Sequence, residues 1–283
     1  MQLRPGEDLR MTLWVLPPHR LPPGFPTSLG DPPDPPVTPR PAATLCLLRE
    51  GPEGFQTLLL RRSPRTRFIP GTYVFPGGSL DPEDEAPELL DRLRGGGVPP
   101  PLPFWVAALR ETFEETGVLL AASSDGAGPQ RERRGRGAPD REQLAVLRER
   151  LLKGELTFQA LLEEMDATLN AAALTPMGHW ITPVSQPLRY DTRFFAARIT
   201  GDEPIELHEP ELTEALWLTP AQALGRNHDG SLPLAFPTLR TLEEMALFPT
   251  PEEALEEWKE RPVLRRLPRL VETEEGVGIQ VDE

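Results

Sequence analysis

Three carboxylates are concentrated in residues 110–118, which read RETFEETGV. In an α-helix, residues three and four positions apart share a face, so Glu111, Glu114 and Glu115 point the same way. Like charges this close repel, and a hard cation such as Mg²⁺ or Mn²⁺, which prefers carboxylate oxygens, would relieve the repulsion. A solvated acidic helix face is the simpler interpretation of the glutamates alone, in a chain with 44 Asp and Glu. The chemistry that the spacing favours is divalent metal binding.

The residues around these glutamates predict how the chain positions them. Gly117 is predicted to end the helix in the left-handed conformation, which glycine adopts without strain. Residues 118–120 predict the start of a buried strand. The opposite side of the helix carries mostly apolar residues suited to burial: Trp105, Ala108, Leu109, Thr112 and Phe113. This context favours a metal-binding helix that packs on a core, rather than a solvated acidic helix face.

A second motif lies upstream, where residues 74–81 read VFPGGSLD. They predict a strand that runs into a turn at Gly77 and Gly78. Two glycines let the backbone pass close to a bulky group, such as a metal-bound phosphate, or adopt a positive φ. Together the two motifs resemble the Nudix box, in which a glycine and an acidic residue six positions later precede an Arg-Glu and Glu-Glu helix that ends in glycine.

The two halves of the box match to different degrees. The arginine, glutamate and glycine positions of the later half all match between Arg110 and Gly117. Six positions beyond Gly78 stands Asp84, where the family usually has glutamate, and an insertion of about residues 85–103 delays the helix. Asp84 is therefore an uncertain box acid. Because the insertion precedes the helix, the three glutamates keep their predicted role.

The resemblance implies an α/β fold, the Nudix α/β/α sandwich with a mixed sheet, carrying extra inserted and appended helices. It also implies that Glu111, Glu114 and Glu115 bind Mg²⁺ or Mn²⁺ with a backbone carbonyl from Gly77 or Gly78. Such a cation would polarise a phosphoryl oxygen and lower the pKa of the water that attacks phosphorus. The implied activity is metal-assisted hydrolysis of a diphosphate bond.

Two further residues take predicted roles from the same resemblance. Arg110 would pair with a box carboxylate and orient it, a role that is also structural. Glu211 is the preferred residue to support the metal site or act as base, although an exposed loop acid explains it equally well. The sequence contains no Walker loop, dinucleotide fingerprint, serine nucleophile elbow or zinc-ligand spacing that would favour another chemistry.

Several shorter matches resemble the branch of this family that has an interrupted box and includes the mammalian peroxisomal coenzyme A diphosphatase. They are residues 58–64, 67–71, 74–78, 180–183 and 189–195. The branch implies coenzyme A or acyl-coenzyme A as substrate, split into 3′,5′-ADP and 4′-phosphopantetheine or its acyl form. A general pyrophosphatase acting on ADP-ribose, dinucleotides or nucleoside triphosphates is the enzymatic alternative. A catalytically silent Nudix fold that binds a ligand is the alternative of another class.

Four arginines just before the box are candidates to contact a diphosphate, and a solubilising loop explains them equally well. They are Arg61, Arg62, Arg65 and Arg67.

Composition limits the partners. The net charge of −14 argues against a nucleic-acid surface, which needs a basic face, but not against a small phosphate substrate. A single cysteine, Cys46, excludes an intrachain disulfide and lies in an apolar run that predicts a buried strand. No apolar run approaches the length of a membrane span. We expect a cytoplasmic protein, because the last three residues differ from the tripeptide that directs the mammalian relative to peroxisomes. The sequence leaves the oligomeric state open, with a homodimer as one alternative because homodimers are common in the family.

The predicted organisation has three parts. Residues 1–41 form a proline-rich extended arm, residues 42–260 the Nudix domain with insertions at about 85–103 and 123–175, and residues 261–283 a C-terminal tail. The tail is expected to fray from Glu272, with an edge strand over 277–281 as the alternative. Strands are predicted over 42–49, 56–62, 180–183 and 190–199, a loop followed by another strand over 209–218, and helices over 87–93, 140–152, 157–165, 219–224, 237–246 and 251–260.

Overall fold

The computed structural model describes most of the chain. The described residues are 12–15, 20, 22, 33–66, 68–97, 99–123, 141–199, 204–209, 211–274 and 276–282. None of the helices within these ranges is long and apolar enough to cross a membrane.

The strands alternate with helices along the chain. The strands are Thr12–Val15 (β1), Arg40–Arg49 (β2), Gln56–Arg62 (β3), Tyr73–Val74 (β4), Gly77–Ser79 (β5), Leu93–Arg94 (β6), Ala121–Ser123 (β7), Ala167–Asn170 (β8), Thr175–Ile181 (β9), Tyr190–Arg198 (β10), Leu212–Leu218 (β11), Arg265–Thr273 (β12) and Gly276–Asp282 (β13). The helices are Pro87–Leu90 (α1), Leu102–Thr116 (α2), Arg141–Leu152 (α3), Phe158–Glu164 (α4), Pro220–His228 (α5), Phe236–Met245 (α6) and Pro251–Glu260 (α7).

The main sheet is mixed. Its strands run in the order β1-β13-β12-β9-β10-β2-β3-β11, with β4 beside β3 and β5 beside β2. β10 is parallel to β2, whereas β9 is antiparallel to β10. The predicted pair of β2 and β3 is confirmed as an antiparallel pair.

Helices cover both faces of this sheet. Along β2, Leu45 and Leu47 pack with α2 and α4 in one core cluster, while Cys46 and Leu48 pack with α5, α6 and α7 in the other. This division follows from the alternation of side chains along a strand, which sends neighbours to opposite faces. The predicted α/β/α sandwich is confirmed, and Cys46 is buried as expected.

The two predicted insertions meet in space. β6 from the first insertion runs parallel to β8 from the second, and β7 completes this small sheet on the other side of β8. The inserted segment between the early box residues and α2 therefore pairs with the second insertion, through β6 and β8. Residues 124–140 of the second insertion lie outside the described part of the chain.

The C-terminal segment differs from the sequence expectation. The predicted fraying from Glu272 is wrong, because β12 and β13 pair antiparallel from Leu267 opposite Asp282 to Thr273 opposite Gly276. The alternative strand forms, but it lies inside the sheet, between β12 and β1. The physical reason is burial, since Ile279 and Val281 on alternate positions join the core cluster under α6.

Part of the N-terminal arm is also packed. Thr12–Val15 pairs with β13, and the Trp14 ring lies edge-on to Phe236 with the ring centroids 5.5 Å apart. The expectation of an arm without packed elements is therefore wrong for β1. The domain boundaries near residues 42 and 260 stay a prediction.

Candidate active site

The three glutamates lie on helix α2, which ends at Thr116. Gly117 follows it with φ of 76°, in the left-handed region, and its N–H donates to the Phe113 carbonyl at 2.8 Å. Trp105, Leu109 and Phe113 are buried in the core between the helix and the sheet. The helix is therefore fixed along its apolar side, which leaves Glu111 and Glu114 on the side away from that core.

Arg110 binds the early and late halves of the box together. Its Nε and Nη2 each donate to one oxygen of Asp84 at 2.9 Å, and Nη2 also donates to the Ser79 carbonyl at 3.0 Å. Its Nη1 donates to Glu111 Oε1 at 3.0 Å and to Glu114 Oε2 at 3.1 Å. One guanidinium therefore holds the carboxyl groups of both Glu111 and Glu114.

Asp84 occupies the position that the interrupted sequence left uncertain. It lies in a 3₁₀ turn, Pro82–Glu85, directly after β5, and its side chain is completely buried. The turn also holds it in place, because the Asp81 N–H donates to Asp84 Oδ2 at 2.8 Å. The insertion begins after this turn, so Asp84 reaches Arg110 through space although some 25 residues of chain separate them.

The two glycines make close contacts that need the absence of a side chain. Gly77 and Gly78 belong to a short strand beside β2, so the predicted turn at this point is wrong. Gly77 has φ of 151°, a Cβ on it would come within 2.3 Å of the Ala43 carbonyl oxygen, and its N–H donates to Glu115 Oε2 at 2.9 Å. A Cβ on Gly78 would lie 2.5 Å from the Glu111 carboxyl group. A larger residue at position 78 would displace the Glu111 carboxyl group, and one at position 77 would clash with the backbone of β2.

Burial disfavours the charged forms of the three glutamates. Burial, followed by the charge of Glu111, raises the pKa of Glu115 to about 8. Burial raises the pKa of Glu111 to about 7 and that of Glu114 above its ordinary value, although the Arg110 charge lowers both. These shifts report a cluster of desolvated carboxylates in which a divalent cation would stabilise the ionised forms.

The carboxylates at this site fit a cation whose other ligands are water and a substrate phosphate. Across the described residues, no three His, Cys, Asp or Glu side chains already converge as a ligand cluster. Glu111 and Glu115 both line the cavity described next, whereas Glu114 is hydrogen-bonded to Arg110 outside its lining. Mg²⁺ commonly takes one or two carboxylates and fills its other positions with water and substrate phosphate. Glu111 and Glu115 supply the carboxylates that such a site requires.

A cavity of about 470 Å³ opens beside these carboxylates. Its charged lining residues are Arg62, Glu111, Glu115 and Glu211, and Gly77 and Gly78 line it as well. Arg62 and Glu211 line the same cavity as Glu115, where the Arg62 charge lowers the pKa of Glu115 and the Glu211 charge raises it. The structure therefore places Arg62 and Glu211 in the same cavity lining as Glu111 and Glu115.

The other arginine candidates do not reach this cavity. Arg61 is exposed on the opposite face of β3, with its guanidinium carbon 5.8 Å from the centroid of the Tyr73 ring. Arg65 is exposed in the turn after β3 and does not line the cavity. Arg67 lies outside the described residues. Neighbouring residues on a strand point to opposite faces, so only one of the adjacent residues Arg61 and Arg62 can face the cavity.

A residue that the sequence reasoning missed, Arg148, caps the glutamate helix. This buried arginine of α3 donates from Nε to the Phe113 carbonyl at 2.9 Å and from Nη2 to the Glu114 carbonyl at 2.6 Å. Nη2 also donates to the Glu206 carbonyl at 2.7 Å. Cations at a helix C-terminus satisfy carbonyls that have no partner within the helix. The inserted helix thus supports the end of α2, and no local spacing in the sequence signals a contact over this distance.

Replacing Arg148 by methionine is expected to lower the free energy of unfolding by about 2–4 kcal/mol, because buried carbonyls lose a charged donor. Urea denaturation measures the change. The matched control is Arg141→Met on the same helix, whose side chain is 68% exposed and pairs with Glu206 at the surface. That control should stay within about 0.5 kcal/mol of the parent. Equal losses in the two variants would contradict the capping role.

Comparison with known proteins agrees with this fold and site. The family model for the NUDT19 Nudix domain matches residues 91–245, somewhat more than half of the chain. A crystal structure of a NUDIX hydrolase from Alicyclobacillus acidocaldarius is 31% identical in sequence, with a TM-score of 0.69 over 80% of this chain and 99% of that one. The mixed sheet, flanking helices and carboxylate helix are those of a Nudix domain. The chain belongs to the Nudix hydrolase family.

Curated relatives point to one branch of the family. The acyl-coenzyme A diphosphatase NUDT19 of Gallus gallus is 28% identical over 237 residues, which cover 70% of this chain and 63% of the relative. The human protein of the same name is 29% identical over 209 residues, covering 60% of this chain and 55% of the relative. The matches thus span less than two thirds of the length of these relatives.

Proposed function

We propose that this protein hydrolyses the diphosphate bond of coenzyme A or acyl-coenzyme A, using Mg²⁺ or Mn²⁺. Water adds to one phosphorus, the bridging P–O bond breaks, and the products are 3′,5′-ADP and 4′-phosphopantetheine or its acyl form. The observation that carries the proposal is the grouping of Arg62, Glu111, Glu115 and Glu211 beside one cavity. The similarity to relatives named acyl-coenzyme A diphosphatase supports the choice of substrate.

Each residue has a role that its contacts support. Glu111 and Glu115 would hold the cation, and Arg110 and the Gly77 N–H orient their carboxyl groups. When bound, the cation polarises the phosphoryl oxygens and acidifies water. Arg62 supplies positive charge next to the phosphate position.

Glu211 is the proposed base. It lines the same cavity and is close enough to influence the pKa of Glu115, so its carboxylate is available to accept the proton of the attacking water. The sequence offered Glu211 either for this role or for support of the metal site.

A substrate panel tests the function. We expect Mg²⁺-dependent turnover of coenzyme A and acyl-coenzyme A, with kcat/KM at least about tenfold above that for ADP-ribose, NADH and nucleoside triphosphates, a difference of about 1.4 kcal/mol in transition-state stabilisation. Mass spectrometry identifies the two products. Higher kcat/KM for ADP-ribose would identify a general pyrophosphatase instead. Binding of these compounds without any turnover would identify a ligand-binding module. A cytoplasmic location and a homodimer stay predictions, which imaging of a fusion protein and light scattering test.

A further inference from the structure

The cavity beside the box has two chemically different ends. Among the described lining residues, the charged side chains are Arg62, Glu111, Glu115 and Glu211, and these belong to the proposed diphosphate site. The remaining lining is uncharged and includes a group of large apolar and aromatic side chains. These are Trp180, Phe236, Leu270 and Ile279, which belong to β9, α6, β12 and β13, on the side of the main sheet away from β3 and β5.

The side chains of this apolar group are packed against one another and against β1. Trp180 and Phe236 meet edge to face with the ring centroids 5.9 Å apart, and Trp14 packs against Phe236 from β1. Ile279 is buried in the core cluster, while Leu270 is only partly buried and faces the cavity. A wall of packed aromatic and aliphatic side chains can take an apolar group without first reorganising.

The two parts of the proposed substrate differ in charge in the same way as the two ends of the cavity. On one side of the diphosphate, coenzyme A has a nucleotide with a 3′-phosphate, and on the other an uncharged arm that ends in a thiol or a thioester. Burying a phosphate without a cation is costly, whereas burying an apolar chain is favourable. Among the described lining residues, the apolar end offers no cation for the 3′-phosphate.

We propose that the apolar end binds the uncharged pantetheine arm and its acyl group, which leaves the 3′,5′-ADP part outside this end. This inference rests on the proposed function and adds the orientation of the substrate. It also assigns a role to the hairpin of β12 and β13, which supplies Pro268, Leu270 and Ile279 and lies beyond the matched residues 91–245. The hairpin is the specificity element for the acyl group.

Binding measured without turnover tests the inference. Calorimetry in EDTA compares 3′,5′-ADP, coenzyme A, and butyryl-, hexanoyl- and octanoyl-coenzyme A. For the parent protein, we expect affinity to rise roughly two- to fourfold per added methylene. Leu270→Trp, which fills the apolar end, should weaken octanoyl-coenzyme A binding at least about tenfold and leave 3′,5′-ADP within about twofold.

Two further variants keep the test decisive. Leu264→Trp adds the same side chain at an exposed position just before β12, outside the cavity lining, and should bind every ligand as the parent does. Leu270→Ala enlarges the apolar end and should bind octanoyl-coenzyme A more weakly than the parent, again without change for 3′,5′-ADP. It covers the case in which Leu270→Trp fails to fold.

The outcomes separate this inference from the proposed function. Equal affinity of the parent for coenzyme A and octanoyl-coenzyme A would overturn the inference even if both were hydrolysed. Equal weakening of 3′,5′-ADP and octanoyl-coenzyme A in the Leu270 variants would overturn it as well. Chain-length-dependent binding with no hydrolysis in the substrate panel would leave the apolar site standing and remove the diphosphatase activity.

Discussion

Glu115→Gln should lower kcat/KM for diphosphate hydrolysis by about 10²- to 10³-fold while the protein remains folded. The amide has nearly the shape of the carboxyl group and keeps an oxygen that can accept the Gly77 N–H bond, now 2.9 Å long. It removes the charge that the proposed cation needs, and several kcal/mol of charge stabilisation in the transition state correspond to two or three orders of magnitude in rate. Steady-state kinetics with Mg²⁺ measure the loss.

Thermal unfolding provides a readout of Glu115 that does not depend on turnover. A ligand that binds the folded state raises Tm, so saturating Mn²⁺ should stabilise the parent protein and stabilise Glu115→Gln much less. The matched control is Glu256→Gln on α7, an exposed glutamate far along the chain from the box, which should keep both the activity and the Mn²⁺ shift. A Glu115→Gln protein with parental activity and a parental Mn²⁺ shift would remove this residue from the metal site.

Arg110→Met should destabilise the protein by about 3–5 kcal/mol and abolish most activity. The change leaves Asp84 buried without the two 2.9 Å bonds that it accepts now, and a buried charge that loses its partner is costly. It also removes the donor shared by Glu111 and Glu114, whose charges then repel without compensation. Urea denaturation measures the free energy of unfolding, and the substrate panel measures activity.

A double-mutant cycle tests whether Asp84 is the box acid that Arg110 requires. Removing both charges in Asp84→Leu/Arg110→Met should cost less than the sum of the single changes by about 2 kcal/mol or more, because neither charge is then left unpaired. Activity should stay low, since Glu111 is no longer oriented. Arg92→Met is the control, because Arg92 is partly exposed and its ion pair with Glu163 is 3.5 Å long, so about 1 kcal/mol or less is expected. Strictly additive single changes would show that Asp84 and Arg110 are not coupled.

The glutamate helix shows what local sequence can predict. Its face of carboxylates, its apolar side and its end at Gly117 all depend on residues within one or two turns of each other. Helix geometry and the positive φ of Gly117 act over that same range. The helix could therefore be predicted from local pattern, whereas the sandwich that packs on it was implied by the family resemblance.

The arginine cluster shows where local prediction ends. Alternation along β3 predicts that Arg61 and Arg62 point to opposite faces, but not which face has the cavity. The position of β11, α2 and the pocket walls around β3 decides that Arg62 is the one near Glu115.

The chain's own pattern thus determined the carboxylate helix and its end at Gly117, because periodicity and backbone freedom act between near neighbours. Only the tertiary structure decided that Asp84 closes an interrupted box, that Arg148 caps α2, and that the C-terminal hairpin forms a cavity wall. Each of these depends on burial against surfaces supplied by distant segments. The acidic composition of the C-terminal segment therefore predicts a solvated tail, whereas the structure buries Ile279 and Val281 in the core.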